Sequence, residues 1–505
     1  MTTLAQLLAH RATANGTAPA VIEEDATLTW AELDRLSRQM SAHLRTRGVG
    51  PGDRVALHCG NSAAFLVAWF GIANLGAIAV TLNTGLVGDG LAYALGQSEP
   101  ALLIIPDASA RTHATEIAAT RFPLGVLSFA DKPALFAMIE AEKPDPAWDG
   151  PGADPLTIIY TSGTTGNPKG VLSSHTAYVE SGRRMAEVLS LTPEDRCMVF
   201  LPLFHANPQY YAVMSALHSG CSLILRPKFS AGGLFDDARR FGATLFTFVG
   251  TVLSMLAARR PEGDTDHPVT RCVGGGTTAE LCALMQHRFG VRVHELYGMT
   301  ETAGWASANR AEDYRAGSCG RVRDDLELAV VDEGDSPVPT GETGEIVIRP
   351  RDPFRILLGY WANADATQKA SRNFWFHTGD LGRFDEDGYL YFVGRGNDII
   401  RRGGENISPA ALEAAVLDLP GIEDAAAVAV PDAIMGEEIK LCLVATPDFS
   451  PADLPARLCG RVPDFMIPRY VQLLAHIPRT QTEKIRRNLL QANTDGVTDL
   501  RPPHR

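Results

Sequence analysis

Residues 160–171 read Y-T-S-G-T-T-G-N-P-K-G-V. The run Leu156–Tyr160 that leads into them is apolar and β-branched, the composition of a buried strand. The stretch itself is built from glycine, hydroxyl residues and one lysine. Gly163, Gly166 and Gly170 let the backbone turn N–H groups inward with φ above zero, and such a nest binds anionic oxygens. Thr161, Ser162, Thr164 and Thr165 add hydroxyl donors, and Lys169 adds a movable positive charge. This is the chemistry of a phosphate cradle. It is not a G-x-x-x-x-G-K-[ST] loop, because Lys169 is followed by Gly170. A polar surface loop has a similar composition, so the rest of the chain decides.

Downstream, Thr176–Leu189 has helical periodicity. That places the cradle between a strand and a helix, whose N-terminus would add partial positive charge toward a phosphate. Strand and helix patterns alternate on both sides, with strands at Arg54–His58, Leu102–Ile105, Met198–Leu201, Ser222–Leu225, Leu245–Val249 and Arg271–Val273. Such alternation predicts an α/β fold with largely parallel pairing. Thr29 and Glu32 form a capping-box pattern ahead of Leu33, Leu36, Met40 and Leu44, and Gly48–Gly52 ends that helix. Ala63–Val80 has nearly the length a bilayer needs. Asn74 interrupts it, however, and Gly71 and Gly76 suit close packing and a turn, so it predicts a buried helix running into a strand. From Leu326 the pattern changes to short strands and turns. A last segment has its own helix and strand patterns, which divides the chain into domains 1–395 and 396–505.

A chain of 505 residues exceeds a single core. Its net charge of −13 argues against a general nucleic-acid binder. Eight scattered cysteines without a C-x-x-C fit reduced thiols in a cytoplasmic protein, and the N-terminus shows no secretory pattern.

Four further stretches carry chemistry. Tyr297–Thr302, Y-G-M-T-E-T, combines an aromatic that can stack on a purine, a hydroxyl for a phosphate (Thr300) and a carboxylate for Mg²⁺ (Glu301). It follows Gly274-Gly275-Gly276-Thr277-Thr278, which permits close backbone approach to a ligand. In His377–Gly382, Asp380 can accept both ribose hydroxyls. In Gly394–Pro409, G-R-G-N-D-I-I-R-R-G-G-E-N-I-S-P, Arg395 can reach ribose or phosphate and Gly403-Gly404 can let a thin substrate pass. The pair Arg401-Arg402 otherwise suits a solvated face. Pro478–Arg486 contains Lys484, which in isolation is an ordinary terminal lysine.

Together these five stretches, in this order and spacing, resemble the acyl-adenylate-forming superfamily (AMP-binding, ANL) over essentially the whole chain. The R-G-G-E-N-I-S-P run is most similar to acyl-CoA synthetases of the crotonobetaine/carnitine–CoA ligase branch. The resemblance implies a large N-terminal domain of α/β subdomains with a small β-barrel-like lobe, and a small mobile α+β C-terminal domain. It implies an ATP-dependent carboxylate ligase that forms acyl-AMP and pyrophosphate and then transfers the acyl group to coenzyme A. An amide-forming ligase of the coronafacate-ligase type, passing the adenylate to an amine, shares the same motifs.

Under this resemblance Lys484 is the catalytic lysine, Thr300 and Glu301 serve phosphate and metal, and His205 gates the acyl pocket. ATP is held by Thr161, Ser162, Gly163, Thr164, Thr165, Gly166 and Lys169, by Gly275, Gly276, Thr277, Tyr297 and Gly298, and by Asp380 and Arg395. Gly403 and Gly404 line the pantetheine tunnel and Asn397 is the hinge. The acid lies among His205–Tyr211, Phe248–Thr251, Gly274–Gly276 and Met299–Trp305. Two positions depart from the family pattern: the hinge is Asn397 rather than Asp or Lys, and Glu483 replaces the glycine before the catalytic lysine. The implied partners are small molecules, with no nucleic acid and no integral membrane association, for a monomer or homodimer.

Overall fold

A computed structural model describes residues 2–161, 168–260, 262–395, 400–402, 405–407, 409–432, 435–459, 461–462, 464–479 and 485–500. The chain forms two compact units. The first comprises Met1–Ala329, Val347–His377 and Phe384–Tyr391, and the second Val330–Ile346, Thr378–Arg383 and Phe392–Arg505.

Two sheets organise the first unit. One has seven strands, in the order Gly359–Tyr360, Lys169–Ser174, Pro155–Thr161, Ile78–Thr81, Arg54–Leu57, Leu102–Pro106 and Val126–Phe129. The other has nine, with Arg292–Tyr297, Arg271–Gly275, Leu245–Val249, Arg196–Val199 and Ser222–Leu225 as its parallel centre. The chain is therefore α/β with largely parallel pairing. The predicted capping box is present: Thr29 caps the helix Trp30–Thr46, and Glu32 bonds back to the Thr29 N–H at 2.8 Å. The apolar run forms the helix Ala63–Asn74, buried on every side, followed by the strand Ile78–Thr81. A helix apolar all round is an interior helix. Gly71 is required there, because a Cβ would overlap Met40 of the neighbouring helix. Among the described residues no helix is long and apolar enough to cross a membrane.

The structure corrects one expectation. Pro155–Thr161 and Lys169–Ser174 pair antiparallel, with Thr161 opposite Lys169, so the phosphate-loop segment joins two strands of a hairpin. The helix His175–Val188 starts only after the second strand, capped by the Ser174 hydroxyl. Residues 169–174 stay extended because they pair on both sides, with Pro155–Thr161 and with Gly359–Tyr360. The helix His175–Val188 therefore does not follow the loop directly, and among the described residues Lys169 is the positive charge at its end.

Burial also sets an acid response. His58, His175 and His218 are packed inside the first unit, and burial lowers each to about 4. His175 Nδ1 accepts the Leu4 N–H at 3.2 Å, which only an unprotonated Nδ1 can do. Because the folded values lie below the ordinary 6.5, the unfolded chain takes up protons first as pH falls. The stability these groups contribute above pH 6.5 is then lost between 6.5 and about 4. Each group should cost roughly 2 kcal/mol at pH 5. We expect urea midpoints to fall from pH 7 to 5, and to fall less in His58→Phe; equal midpoints at both pH values would contradict the assignment.

The second unit contains a six-stranded sheet in which Gly436–Ala445 pairs with Ile422–Asp432, Tyr470–Leu473 and Ile400–Arg402. Leu412 and Val416 of the helix Pro409–Leu417 pack on Ala425, Ala427, Ile439 and Leu441. Arg402, which suited a solvated face, turns inward. Its Nε lies 2.9 Å from the fully buried Glu438 carboxylate, and its Nη1 donates to the Phe465 carbonyl at 2.8 Å. A separate four-stranded sheet runs Leu326–Val331, Gly344–Pro350, Phe376–Phe384 and Leu390–Arg395.

Candidate active site

The strand that leaves the phosphate loop builds the first part of the site. Gly359–Tyr360 pairs with it, placing Gly359 opposite Leu172 and Tyr360 opposite Val171, and the Trp361 N–H donates to the Gly170 carbonyl at 2.7 Å. This pairing sets the Tyr360 ring beside Lys169, whose Nζ lies 4.9 Å from the ring centroid. Tyr360 Oη donates to Glu301 Oε1 at 3.0 Å, and Glu301 is buried. Burial and then the Glu301 charge raise the Tyr360 phenol well above its ordinary value, so it stays a donor. Tyr360 thus links the loop lysine to the predicted metal carboxylate. No signal in the sequence marks it, because its partners lie far away along the chain. Tyr160 and Gln97 support the same region: Tyr160 donates to Gln97 Oε1, and Gln97 Nε2 donates to the Trp361 carbonyl at 2.6 Å.

The second part joins the glycine run to the Y-G-M-T-E-T stretch. Arg271–Gly275 and Arg292–Tyr297 are adjacent parallel strands, with Gly274 opposite Glu295. The Glu295 carboxylate accepts the Gly276 N–H at 2.9 Å and the Thr277 N–H at 3.3 Å. A Cβ at Gly250 would overlap the Gly276 carbonyl oxygen, and one at Gly298 would overlap Gly304 and Trp305. Close backbone approach is therefore real at both places. Tyr297 is buried at a strand end, and Thr300–Thr302 form one 3-10 turn. Below that turn the fully buried Arg323 donates to the Trp305 carbonyl at 2.8 Å and pairs with Asp325 at 2.7 Å. Tyr211 Oη donates to the Gly304 carbonyl at 2.6 Å, and Ser181 Oγ to that of Ala303 at 2.7 Å.

His205 is half-buried and meets the Phe204 ring edge-on, with centroids 4.7 Å apart. Just beyond it Pro208–Val213 forms a π-helix that continues into the α-helix Met214–Ser219. Asn207 Nδ2 ties the start of this element to the Phe248 carbonyl at 3.0 Å.

The structure therefore brings Lys169 to Glu301 through Tyr360, and Gly275–Thr277 beside the strand that ends at Tyr297. Asp380 belongs to the second unit, where its N–H donates to Thr378 Oγ1 at 3.0 Å. Arg395 closes the strand Leu390–Arg395. Ser162, Gly163, Thr164, Thr165, Gly166, Asn397, Gly403, Gly404, Glu483 and Lys484 lie outside the described residues. The chain on either side of Lys484 is braced: Arg479 pairs with Asp424 at 2.7 and 2.8 Å, Arg479 bridges to Ile485, and Arg487 pairs with Glu413.

Among the described residues no cluster of three or more His, Cys, Asp or Glu side chains could cage a metal ion. One carboxylate beside a phosphate loop is instead the setting of Mg²⁺, which takes one or two carboxylates and completes its shell with phosphate oxygens and water. Glu301 fits that donor set.

A family model described as AMP-binding enzyme matches residues 8–361, and its C-terminal domain model matches residues 411–484. The chain belongs to the AMP-binding enzyme family. It is 31% identical to a crotonobetaine/carnitine–CoA ligase of Salmonella paratyphi A, over 90% of this chain and 92% of that protein. It is also 31% identical to the long-chain-fatty-acid–CoA ligase FadD13 of Mycobacterium tuberculosis, over 97% of this chain and 98% of that one. Among solved structures, ATP-bound MatB from Rhodopseudomonas palustris superposes with a TM-score of 0.87 at 26% identity, covering 97% of this chain and 98% of that one. The anthranilate CoA ligase AuaEII in complex with anthranoyl-AMP gives 0.87 at 25% identity, covering 97% of each chain. The fold is that of the adenylate-forming enzymes, and the chain is an AMP-forming acid–thiol ligase of the acyl-CoA synthetase class.

Proposed function

We propose that the chain activates a medium-sized carboxylic acid, apolar or cyclic and uncharged beyond its carboxylate, and transfers it to coenzyme A. The acid attacks the α-phosphorus of ATP through its carboxylate oxygen, and pyrophosphate leaves. The thiol of coenzyme A then attacks the acyl carbon and AMP leaves. The acid needs no base for the first step, being ionised at neutral pH. The contact that supports this assignment best is Tyr360, holding Glu301 at 3.0 Å while its ring faces Lys169. Lys169 and the loop hydroxyls hold the β- and γ-phosphates, Thr300 a phosphate oxygen, and Tyr297 with Gly275–Thr277 the adenine. Asp380 and Arg395 hold the ribose. Glu301 would hold Mg²⁺, which neutralises phosphate charge when bound. Residues 1–395 and 396–505 act as two bodies hinged at Asn397, with Lys484 serving the first step and Gly403-Gly404 the second.

The substrate class rests on the segments that form the acyl pocket under this assignment. Their ionisable side chains are His205, Tyr210, Tyr211 and Glu301. Burial keeps both tyrosines protonated. No carboxylate remains to pair with a quaternary ammonium, and no lysine or arginine to pair with a second carboxylate. Betaines and dicarboxylic acids should therefore be poor substrates in a pyrophosphate-release panel, and a betaine as the best substrate would overturn the class. The same enzyme, acid and ATP given coenzyme A or an amine decides the acceptor: thioester supports the proposal, and amide alone refutes it.

Tyr360→Phe tests the central contact. It removes one hydrogen bond to a carboxylate, about 1.5 kcal/mol, and so should raise KM for Mg·ATP about tenfold. The Mg²⁺ concentration for half-maximal ATP binding, measured by calorimetry, should rise with it. Unchanged Mg²⁺ dependence would show that Tyr360 only packs.

A further inference from the structure

Glu295 is a carboxylate buried in a strand of the nine-stranded sheet. It sits in the strand Arg292–Tyr297, buried, two residues before Tyr297. Its two oxygens take up N–H groups of the neighbouring loop: Oε1 accepts from Gly276 at 2.9 Å and from Thr277 at 3.3 Å, and Oε2 accepts from Thr277 at 3.3 Å. On the other side of that loop the Gly276 carbonyl oxygen stands against Gly250 so closely that no Cβ fits. Gly276 itself has φ +91, a conformation without intrinsic stability for an ordinary residue. Thr278 then caps the helix Ala279–Phe289, so the loop ends on a rigid element. A left-handed turn pressed between two backbones holds its shape only if its N–H groups are satisfied from below, and Glu295 is the group that satisfies them.

We infer that Glu295 is the positioning residue of the nucleotide loop, a buried carboxylate that shapes Gly274–Thr278 for the adenine without touching it. This rests on the assignment of that loop to adenine. The strength of the clamp should follow the charge on Glu295, since bonds to an ionised acceptor are roughly twice as strong as neutral ones. Burial raises its pKa to about 8, against the two N–H bonds that lower it. The other titratable groups facing it are Cys272 on the adjacent strand, Cys282 on the helix Ala279–Phe289 and Tyr211 on the π-helix. Burial raises all three above their ordinary values, so they stay neutral while Glu295 titrates. Glu295 thus passes from neutral to charged as pH rises through about 8, and nucleotide binding should tighten over that interval.

Glu295→Gln keeps the shape of the protonated acid and cannot ionise; Glu295→Ala removes the acceptor. ATP dissociation constants, measured by calorimetry at pH 6.5 and 9.0, should match for wild type and Glu295→Gln at the lower pH. The variant should be about fivefold weaker at the higher pH, and ATP's own ionisation enters both proteins alike. Glu295→Ala should bind ATP about tenfold more weakly at both. Hydrogen exchange in Glu295→Ala should quicken at the Gly276 and Thr277 amides and not across the sheet. Parallel pH curves for wild type and Glu295→Gln, or wild-type ATP affinity in Glu295→Ala, would overturn the inference. Wild-type protein that binds no ATP would instead sink the nucleotide assignment, and the exchange measurement alone would then decide whether Glu295 clamps the loop.

Discussion

Lys484→Ala is expected to lower acid-dependent pyrophosphate release by about 10²–10³-fold, the scale of losing one preorganised charge at a reacting centre. Thioester formation from supplied acyl-AMP should stay near its wild-type rate, because under the proposed division of labour that step uses Gly403-Gly404 in place of Lys484. Comparison of the two half-reactions on one preparation tests this, and equal loss in both would refute the division of labour. The chain supports the lysine from outside. Arg479 is fixed to Asp424 by two bonds of 2.7 and 2.8 Å, and Arg487 to Glu413 and to the Ala427 carbonyl. Lys169 differs. Under the proposed assignment it holds the phosphates that depart rather than the bond that forms, and Lys169→Ala should cost about tenfold or less. A Lys169→Ala enzyme as inactive as Lys484→Ala would reverse that ranking.

Arg323→Leu should destabilise the first unit by about 3–5 kcal/mol, the cost of leaving one partner of a buried ion pair uncompensated. Arg323 is almost fully buried, and burial lowers its pKa against the pull of Asp325 at 2.7 Å. Its remaining donors reach the carbonyls of Trp305 at 2.8 Å, Arg355 at 3.0 Å and Thr302 at 3.4 Å. The loss therefore combines an Asp325 left with more distant cations and three carbonyls, of Thr302, Trp305 and Arg355, that lose a donor, and it loosens the chain that follows Glu301. Urea unfolding should show the loss in midpoint, and KM for the acid should rise in parallel. The double variant Arg323→Leu/Asp325→Leu should recover part of the stability because the stranded charge is gone. A double variant less stable than Arg323→Leu would show that Asp325 is held mainly by Arg184 and Arg355, which lie 3.5 and 3.6 Å from it.

What the sequence displays well is local. The Thr29–Glu32 box and the apolar run at Ala63–Val80 depend on neighbours within a few residues, and both appear as expected. The strand Lys169–Ser174 does not announce itself, since Gly170, Ser173 and Ser174 have weak strand preference and pairing on both edges makes it extended. Tyr360 and Glu295 are invisible for a related reason. One acts on Glu301, 59 positions away, and the other on Gly276, 19 positions away, through contacts only the sheets create. Arg402 suits the surface by composition, yet it lies inside because Glu438 meets it there. Residues 160–171, the glycine run and the Y-G-M-T-E-T stretch stand out in the sequence because they set unusual residues side by side.

Under the proposed assignment the π-helix Pro208–Val213 borders the acyl pocket, and its extra residue bears on which acid fits. A π-turn carries one residue more than the α-turn it replaces, and each helical residue turns the chain by about 100°. Loss of a single codon in this segment would let it relax to α and rotate Tyr210 and Tyr211 relative to His205. The helix Met214–Ser219 beyond would keep its place, whereas Tyr210, stacked on Tyr178, and Tyr211 belong to the core and would have to repack. One deletion would therefore change two bulky side chains together, and the core around Tyr210 and Tyr211 would have to change with them.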